Sequence, residues 1–181
     1  MKEFEIKFIV GRTVFDRLLR QIVKDYPSAR VTAKKQINYY YDTEGLDLYD
    51  KNITLRIRQS DDGFLVQEKI HAGNGIEADE TEKPISALPF SMQYQGKTAI
   101  LQGSLQTNRT SAQIDSGIKI EFDENWYLGN HDYEIEIEYD PAQEAKAKEL
   151  CQSLSLCRPN DTGKSTRFFQ ARKEVRRNAA I

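Results

Sequence analysis

This sequence has no long apolar run, only two cysteines and almost no excess charge of one sign, and each shortage excludes a class of protein. No segment approaches the roughly 20 consecutive apolar residues that a transmembrane helix requires. The N-terminus enters a charged segment at once, without the apolar run of a signal peptide. A formal net charge of −2 creates no overall field that would recruit nucleic acid or a membrane. We therefore expect neither of these partners.

The two cysteines, Cys151 and Cys157, are too few and too close in sequence to indicate a disulfide framework. We therefore expect a reduced protein of the cytoplasm. A chain of 181 residues can bury a sizeable core without such links. We expect one domain over residues 1–181, with a frayed tail at about 176–181.

Short segments in which apolar and charged residues alternate are abundant, and this is the pattern of half-buried β-strands. Turn signals such as Asp61-Asp62-Gly63 separate several of these segments and indicate hairpins. Successive hairpins predict an α+β protein with an antiparallel sheet or barrel, not a βαβ array. The predicted strands occupy 2–10, 29–42, 53–59, 64–70, 76–83, two segments within 98–115, 117–126 and 132–139. The predicted helices occupy 13–26 (capped by Thr13), 85–95 (after a break at Pro84), 141–154 and 165–177.

One face of several predicted strands is charged. In the first strand, Glu3, Glu5 and Lys7 share a face, because side chains alternate across a strand. Such a sheet can stay open with one wet face, or close into a barrel with its charges inside. Later strands repeat the pattern with Arg56 and Arg58, Gln67 and Lys69, Lys119, Glu121 and Asp123, and Glu134, Glu136 and Glu138.

The signs of these charges are not mixed at random. Carboxylates cluster in the first and last predicted strands, whereas the central strands supply arginine and lysine. Carboxylates that converge repel one another unless a cation lies among them, and converging basic groups require a polyanion. A divalent metal ion beside a chain of phosphates satisfies both needs, since Mg²⁺ takes few protein carboxylates and fills its shell with phosphate oxygens and water. Arginine forks suit phosphate oxygens.

At these residues the sequence resembles the CYTH superfamily, the triphosphate tunnel metalloenzymes, over nearly its whole length. Each motif alone is weak, but six of them follow in the family's order. They are Glu3-x-Glu5-x-Lys7, Tyr40-Tyr41-Asp42-Thr43, Leu55-Arg56-Ile57-Arg58, Glu68-Lys69, Asp132-Tyr133-Glu134-Ile135-Glu136 and Lys164-Ser165.

The resemblance implies a closed eight-stranded antiparallel β-barrel, a tunnel with flanking helices, that binds a triphosphate with Mg²⁺ or Mn²⁺. The implied metal ligands are Glu3, Glu5, Glu134 and Glu136. The implied phosphate-binding residues are Lys7, Arg56, Arg58, Lys69, Arg109 and Lys164. The implied catalytic residues are Glu5, Glu136 and Lys7. The resemblance leaves some positions open. Glu136 with Glu138 is a second possible pair of metal ligands, and Glu80 or Glu82 is a further candidate for an inward acid. Only one of Lys34 and Lys35 can point inward, and Asp123 resembles an aspartate of the family.

The expected activity is metal-dependent hydrolysis of a small triphosphate. Because the chain is short and has no added helical domain, we expect inorganic tripolyphosphate rather than a nucleotide. Known family activities leave adenylyl cyclase and thiamine triphosphatase as alternatives at the same site. Outside catalysis, the alternatives are a polyphosphate- or nucleotide-binding module and, if the sheet is open, a protein-interaction domain.

Overall fold

The computed structural model describes residues 4–71, 78–160 and 162–179, and nine strands within these ranges form one antiparallel sheet. The strands are β1 Phe4–Val10, β2 Arg30–Asp42, β3 Ile53–Ser60, β4 Gly63–His71, β5 Ala78–Ile85, β6 Ser91–Tyr94, β7 Lys97–Asp115, β8 Ile118–Tyr127 and β9 Asn130–Tyr139. The helices are α1 Arg12–Asp25, α2 Asp47–Asp50, α3 Glu144–Ser153, which follows a 3₁₀ turn at Pro141–Gln143, and α4 Lys164–Ala179.

The strand order confirms the predicted antiparallel sheet with flanking helices. Eight strands follow the order β1-β9-β8-β7-β2-β3-β4-β5, and β6 pairs with β7 outside this path. The chain's first strand therefore lies beside its last one, which brings the two acidic segments of the sequence together. In the described ranges β1 and β5 stand at the two ends of the order without pairing, so closure into a barrel stays a prediction.

A single long strand, β7, replaces the two strands predicted within 98–115. It remains one strand because β2 pairs with it from the Arg30–Gln113 pair to the Asp42–Ile100 pair. Gly103 has a φ of 141° within this strand, and the register shifts nearby. The glycine therefore lies at an irregularity of a continuous ladder, as glycines in strand interiors often do, and not at a turn.

The helix predicted at 85–95 is wrong. Met92 and Tyr94 of β6 pack against an apolar cluster while the backbone of β6 pairs with β7. Pro84 does not break its strand either, since β5 continues to Ile85. Within the described ranges β5 has a neighbour on one side only, and an edge position tolerates a residue that lacks an N–H donor.

Two helix ends also differ from the prediction. Helix α1 has Gly11 at its N-cap, one position before its first residue, so Thr13 lies inside the helix. Helix α4 includes residues 176–179, which we expected in a frayed tail. Arg176 explains part of this order, because its Nη1 donates to the carbonyl of Glu44 at 2.7 Å and its Nη2 to Gln102 Oε1 at 2.7 Å. None of the described helices is both long and apolar enough to cross a membrane.

The main core lies between one face of the sheet and helices α1 and α3. Alternation in β8 and β9 sends every second residue, such as Phe122 and Ile135, into this layer. Phe15 of α1 packs edge-on against Phe122, with ring centroids 5.6 Å apart. The buried members of the main core are Phe8, Phe15, Leu18, Ile22, Ala112, Ile118, Ile120, Phe122, Ile135, Ile137, Ala147, Leu150, Cys151, Leu154 and Leu156.

Helix α4 packs on the opposite face of the sheet, at one end only. Its Phe168 and Phe169 form a second apolar cluster with Tyr40, Leu105 and Tyr127. Residues of α4 that precede these phenylalanines reach further along the same face. The helix therefore brings both apolar and charged side chains to a face that the main core does not cover.

We expect Phe122→Ala to lower the free energy of unfolding by about 3–5 kcal/mol, because it leaves a cavity between the sheet and α1. Phe90→Ala is the matched control, since the Phe90 side chain is 76% exposed, and it should change stability by less than about 0.5 kcal/mol. Urea unfolding of both variants measures the difference. Equal losses would contradict this assignment of the core.

Candidate active site

One face of the sheet carries nearly all the charged residues selected from the sequence, and we call it the polar face. Ile135 and Ile137 of β9 pack in the main core, so the acids beside them point to the other side. The ladders align these residues across strands, with Lys7 opposite Glu136 and Glu136 opposite Glu121. By register, the polar face includes Glu5 and Lys7 (β1), Lys34 and Asn38 (β2), Arg56 and Arg58 (β3), Gln67 and Lys69 (β4), Glu82 (β5), Arg109 (β7), Lys119, Glu121 and Asp123 (β8), and Asp132, Glu134, Glu136 and Glu138 (β9).

Glu136 is the carboxylate on which three cations from three separate elements converge. Lys7 Nζ lies 3.6 Å from its Oε1, Lys164 Nζ lies 2.9 Å from the same oxygen, and Arg109 Nη2 donates to its Oε2 at 2.7 Å. Burial alone would raise the pKa of Glu136, but Lys164, Lys7 and Arg109 outweigh it and hold the pKa well below the ordinary value. Glu136 is therefore ionised at neutral pH although it is buried.

Arg109 joins β7 to the acids of β8 and β9. Its Nε donates to Asp123 Oδ1 at 2.7 Å and its Nη2 to Asp123 Oδ2 at 2.5 Å, a two-pronged contact. Its Nη1 is also paired with Glu121. Burial alone would lower the pKa of Arg109, but Asp123 and Glu136 raise this pKa well above the ordinary value. Burial raises the pKa of Glu121, and Arg109 opposes that rise.

Lys164, the first residue of α4, enters the same cluster. Its ammonium lies 2.8 Å from Asp123 Oδ2 and is also paired with Glu134 and Glu136. Burial would lower the pKa of Lys164, but these three carboxylates raise it well above the ordinary value. Lysine is costly to bury without partners, so the acids of β8 and β9 determine where α4 begins to contact the sheet.

Among the residues that the structure describes, two groups of three carboxylates could hold a metal ion. Ligand atoms of Glu5, Glu136 and Glu138 lie within 4.8 Å of one another, as do those of Glu121, Asp123 and Glu136. Oxygen donors of this kind suit a hard divalent cation such as Mg²⁺ or Mn²⁺. The first group contains Glu136 and Glu138, the second pair of ligands that the sequence leaves open, whereas Glu134 is in neither group and is paired with Lys164 and Arg167 of α4. Glu3, a further predicted ligand, lies outside the described residues.

The predicted basic residues of β3 lie on the polar face but farther along the sheet. Arg56 Nε donates to Gln67 Oε1 at 2.7 Å, and Arg58 Nε donates to Asn38 Oδ1 at 3.1 Å. These amide oxygens help to orient the two guanidinium groups. Lys69 shares the face by register, opposite Thr54. Glu82 also points inward, since its Oε1 is contacted by the amide of Gln67.

Lys34 rather than Lys35 lies on the polar face, opposite Arg109 in the ladder between β2 and β7. Burial lowers the pKa of Lys34, and the like charges of Arg109, Arg58 and Lys119 act in the same direction, opposed by Glu121. Cations therefore outnumber carboxylates among the charged groups that act most strongly on this exposed ammonium. A bound anion would relieve that excess.

Arg167 is a site residue that we did not select from the sequence. Arg167 follows Lys164 by three residues on the same helix, and its guanidinium contacts Asp132 and Glu134 of β9. Residues three apart share a helix face, so the spacing Lys164-x-x-Arg167 in a predicted helix indicates that both side chains point the same way. The sequence places Lys119 on one face with Glu121 but indicates no role for it. Its Nζ lies 2.9 Å from Glu121 and 2.5 Å from Glu138.

Fold and site together define a class: an antiparallel sheet in which one face combines a carboxylate cluster with basic residues from neighbouring strands and a C-terminal helix. The chain belongs to the CYTH domain family, whose model matches residues 1–169. This family membership confirms the resemblance found in the sequence.

Individual relatives agree over nearly the whole chain. YjbK from Bacillus subtilis (strain 168), provisionally named a triphosphatase, is 29% identical, and the match covers 96% of this chain and 98% of YjbK. A provisional adenylate cyclase from Bacillus halodurans superposes with a TM-score of 0.73 at 25% identity, covering 93% of this chain and 98% of that one. HpAC1 from Hippeastrum, described as a putative adenylyl cyclase with a dominant triphosphatase activity, has a TM-score of 0.72 at 20% identity, covering 93% and 95% of the two chains. The last likeness concerns the fold alone.

The charge on Glu136 should make stability depend on pH in a defined direction. A carboxylate whose pKa is lower in the folded state than its ordinary value of 4.5 stabilises the folded state at any pH above 4.5. This contribution is lost as the pH falls towards the folded-state pKa. We expect Glu136→Gln to be less stable than the wild type at pH 7, by about 3–5 kcal/mol if its cations find no other partner. The gap should narrow below about pH 4.5.

Urea unfolding between pH 7 and pH 3 measures this gap. Glu174→Gln, which removes one exposed carboxylate from α4, is the control for loss of charge alone. A gap between Glu136→Gln and the wild type that stays constant over this range would show that the ionised carboxylate does not stabilise the fold.

Proposed function

We propose that this protein hydrolyses a small triphosphate with the help of a divalent metal ion bound at the polar face. The observation that carries the proposal is the convergence of Glu5, Glu136 and Glu138 within 4.8 Å, beside the basic residues Arg109 and Lys164. Membership of the CYTH family, and the relative YjbK, which is provisionally named a triphosphatase, support it.

Glu5, Glu136 and Glu138 are the carboxylates that would hold Mg²⁺ or Mn²⁺, with Glu3 as a further candidate. When bound, the ion would neutralise phosphate oxygens and make a water molecule more acidic. Lys7 Nζ now lies 2.7 Å from Glu5 Oε1, and Lys119 Nζ lies 2.5 Å from Glu138 Oε2. These ammonium groups hold the acids close together despite their mutual repulsion.

The basic residues would align the phosphate chain along the polar face. Arg56 and Arg58 have guanidinium groups oriented by amide oxygens, which suits recognition of phosphate oxygens. Phosphoryl transfer needs little covalent help from a protein, so alignment and neutralisation of charge would supply most of the rate. In this proposal Glu5 and Glu136 orient the attacking water and Lys7 balances charge beside them. The phosphate-binding set is Lys7, Lys34, Arg56, Arg58, Lys69, Arg109 and Lys164.

We propose inorganic tripolyphosphate as the substrate, because the basic groups extend along the polar face over β2, β3 and β4, as a chain of phosphates would. Adenylyl cyclase is the second candidate, favoured by the likeness to the provisional cyclase of Bacillus halodurans. It would form cyclic AMP and pyrophosphate from ATP, whereas a triphosphatase releases orthophosphate. The two activities are therefore separated by their products.

We propose that the sheet closes into a tunnel within a single domain spanning residues 1–181. Burial of polar side chains supports closure, since Asn38, Gln67 and Asp123 are almost inaccessible although each lies on the polar face of a different strand. A flat sheet would expose most of them to water. The proposed location is the cytoplasm, which the two free cysteines support.

We expect phosphate release from tripolyphosphate with Mg²⁺ or Mn²⁺, and a loss of more than about a hundredfold in kcat/KM for Glu5→Gln, because a bound ion contributes several kcal/mol to catalysis. A panel of tripolyphosphate, ATP and thiamine triphosphate, with all products identified, measures this. Glu174→Gln is the control for loss of one carboxylate. Equal rates for Glu5→Gln and wild type would refute the proposal, and cyclic AMP as the main product would favour the cyclase.

Lys34 and Lys35 offer a matched pair of adjacent lysines on opposite faces of β2. We expect Lys34→Ala to raise KM for tripolyphosphate about fivefold, the effect of roughly 1 kcal/mol at a partly exposed site, with little change in kcat. Lys35→Ala should leave both parameters unchanged. The same KM for both variants would exclude Lys34 from the phosphate-binding set.

A further inference from the structure

The guanidinium of Arg167 holds two acids of β9 at once. Its Nε donates to Asp132 Oδ2 at 3.0 Å and its Nη2 to Glu134 Oε2 at 3.1 Å, while its Nη1 donates to Glu134 Oε1 at 3.3 Å. The side chain is only 11% exposed. Asp132 and Glu134 are consecutive members of the polar face, so this one side chain fixes the end of the acidic row nearest α4.

Asp132 is itself part of a hydrogen-bonded network that spans β7, β8 and β9. Thr107 donates to Asn125 at 2.7 Å, Asn125 donates to Asp132 Oδ1 at 2.9 Å, and Tyr127 donates to Asp132 Oδ2 at 2.8 Å. Thr107 and Asn125 are fully buried. Because every partner in this network is satisfied, Asp132 presents its oxygens to Arg167 in one orientation.

Arg167 also fixes the segment that leads into α4. Its Nη1 donates to the carbonyl of Thr162 at 2.7 Å, and the amide of Asn160 donates to the same carbonyl at 3.0 Å. The backbone N–H of Asn160 in turn donates to the carbonyl of Lys7 at 2.7 Å. The segment before α4 is therefore tied to β1 beside one of the proposed catalytic residues, and to β9 through Arg167.

We propose that Arg167 is a positioning residue for catalysis: by clamping Asp132 and Glu134, it seats the start of α4 so that Lys164 reaches Asp123 and Glu136. This inference rests on the proposed triphosphatase activity. It also gives Glu134 a part in seating α4, since its two oxygens are contacted by Arg167 and Lys164. Lys164 touches the site, and Arg167 acts through it.

A planar fork is required for this clamp, because one ammonium cannot serve two carboxylates and a carbonyl in the same directions. Arg167→Lys keeps the charge in its buried place and should therefore fold. We expect its kcat for tripolyphosphate to fall about ten- to hundredfold, since small displacements of a charged group are costly in an oriented site. Arg176→Lys is the matched control, because Arg176 also ties α4 to the sheet but contacts Glu44 and Gln102 instead of the acids.

A double-mutant cycle with Lys164→Ala separates positioning from general weakening of the helix. If Arg167 acts only through Lys164, the double variant should be no slower than Lys164→Ala alone. Losses in kcat that multiply, an unchanged kcat in a folded Arg167→Lys, or an equal loss in Arg176→Lys would each overturn the proposal.

Amide hydrogen exchange at residues 164–169 gives a readout that does not depend on turnover. It should be faster in Arg167→Lys than in the wild type and unchanged in Arg176→Lys. If the wild type hydrolyses no triphosphate, the proposed function fails, and this exchange pattern still decides whether Arg167 seats α4. Exchange that is the same in all three proteins would overturn the seating itself.

Discussion

The balance of charge around Glu136 is the constraint on which the rest of the site depends. A buried carboxylate is tolerated only when cations compensate it, and here they come from the first strand, the longest strand and the C-terminal helix. Lys7 reaches Glu136 because β1 pairs with β9 in the observed register, and Arg109 reaches it because β7 pairs with β8. The contacts of the Glu136 side chain therefore depend on the order of the strands in the sheet.

The two faces of the sheet divide the physical work. Apolar burial between the sheet, α1 and α3 supplies favourable free energy without specific polar contacts. This leaves the other face able to carry ionised groups whose burial is costly. The same alternation that sends Ile135 and Ile137 into the main core presents the intervening acids to the site. The site and the core therefore both result from the alternation of side-chain direction along each strand.

A gradient of charge runs across the polar face. Strands β1, β9 and β8 present mostly carboxylates, strands β2 and β3 present cations, and Arg109 of β7 lies at the boundary. Such an arrangement suits a metal ion next to a chain of phosphates better than either ligand alone. Helix α4 covers one end of this face with Phe168 and Phe169. Lys34 is six residues from Tyr40 along β2, about 20 Å towards the other end.

The sequence by itself determined much of this protein. Alternation predicted the antiparallel strands and placed Glu5, Lys7, Arg58 and Glu136 on one face, because side-chain direction in a strand follows from position alone. The family motifs were equally local. Failures arose where local signals were weak or ambiguous, as in 98–115, where one long strand reads as two, and at β6, which is a strand because β7 pairs with it.

Only the tertiary structure decided which charges meet. The three alternating glutamates of β9 look equivalent in the sequence, yet Glu134 pairs with cations of α4, Glu136 contacts Lys164 of α4 and also approaches Glu5, and Glu138 approaches Glu5 and pairs with Lys119. Lys34 and Lys35 differ only in the face that β2 presents to its neighbours. Arg167 became a site residue because α4 crosses the end of the sheet. Contacts between residues distant in the chain depend on register and docking, and no local pattern encodes either one.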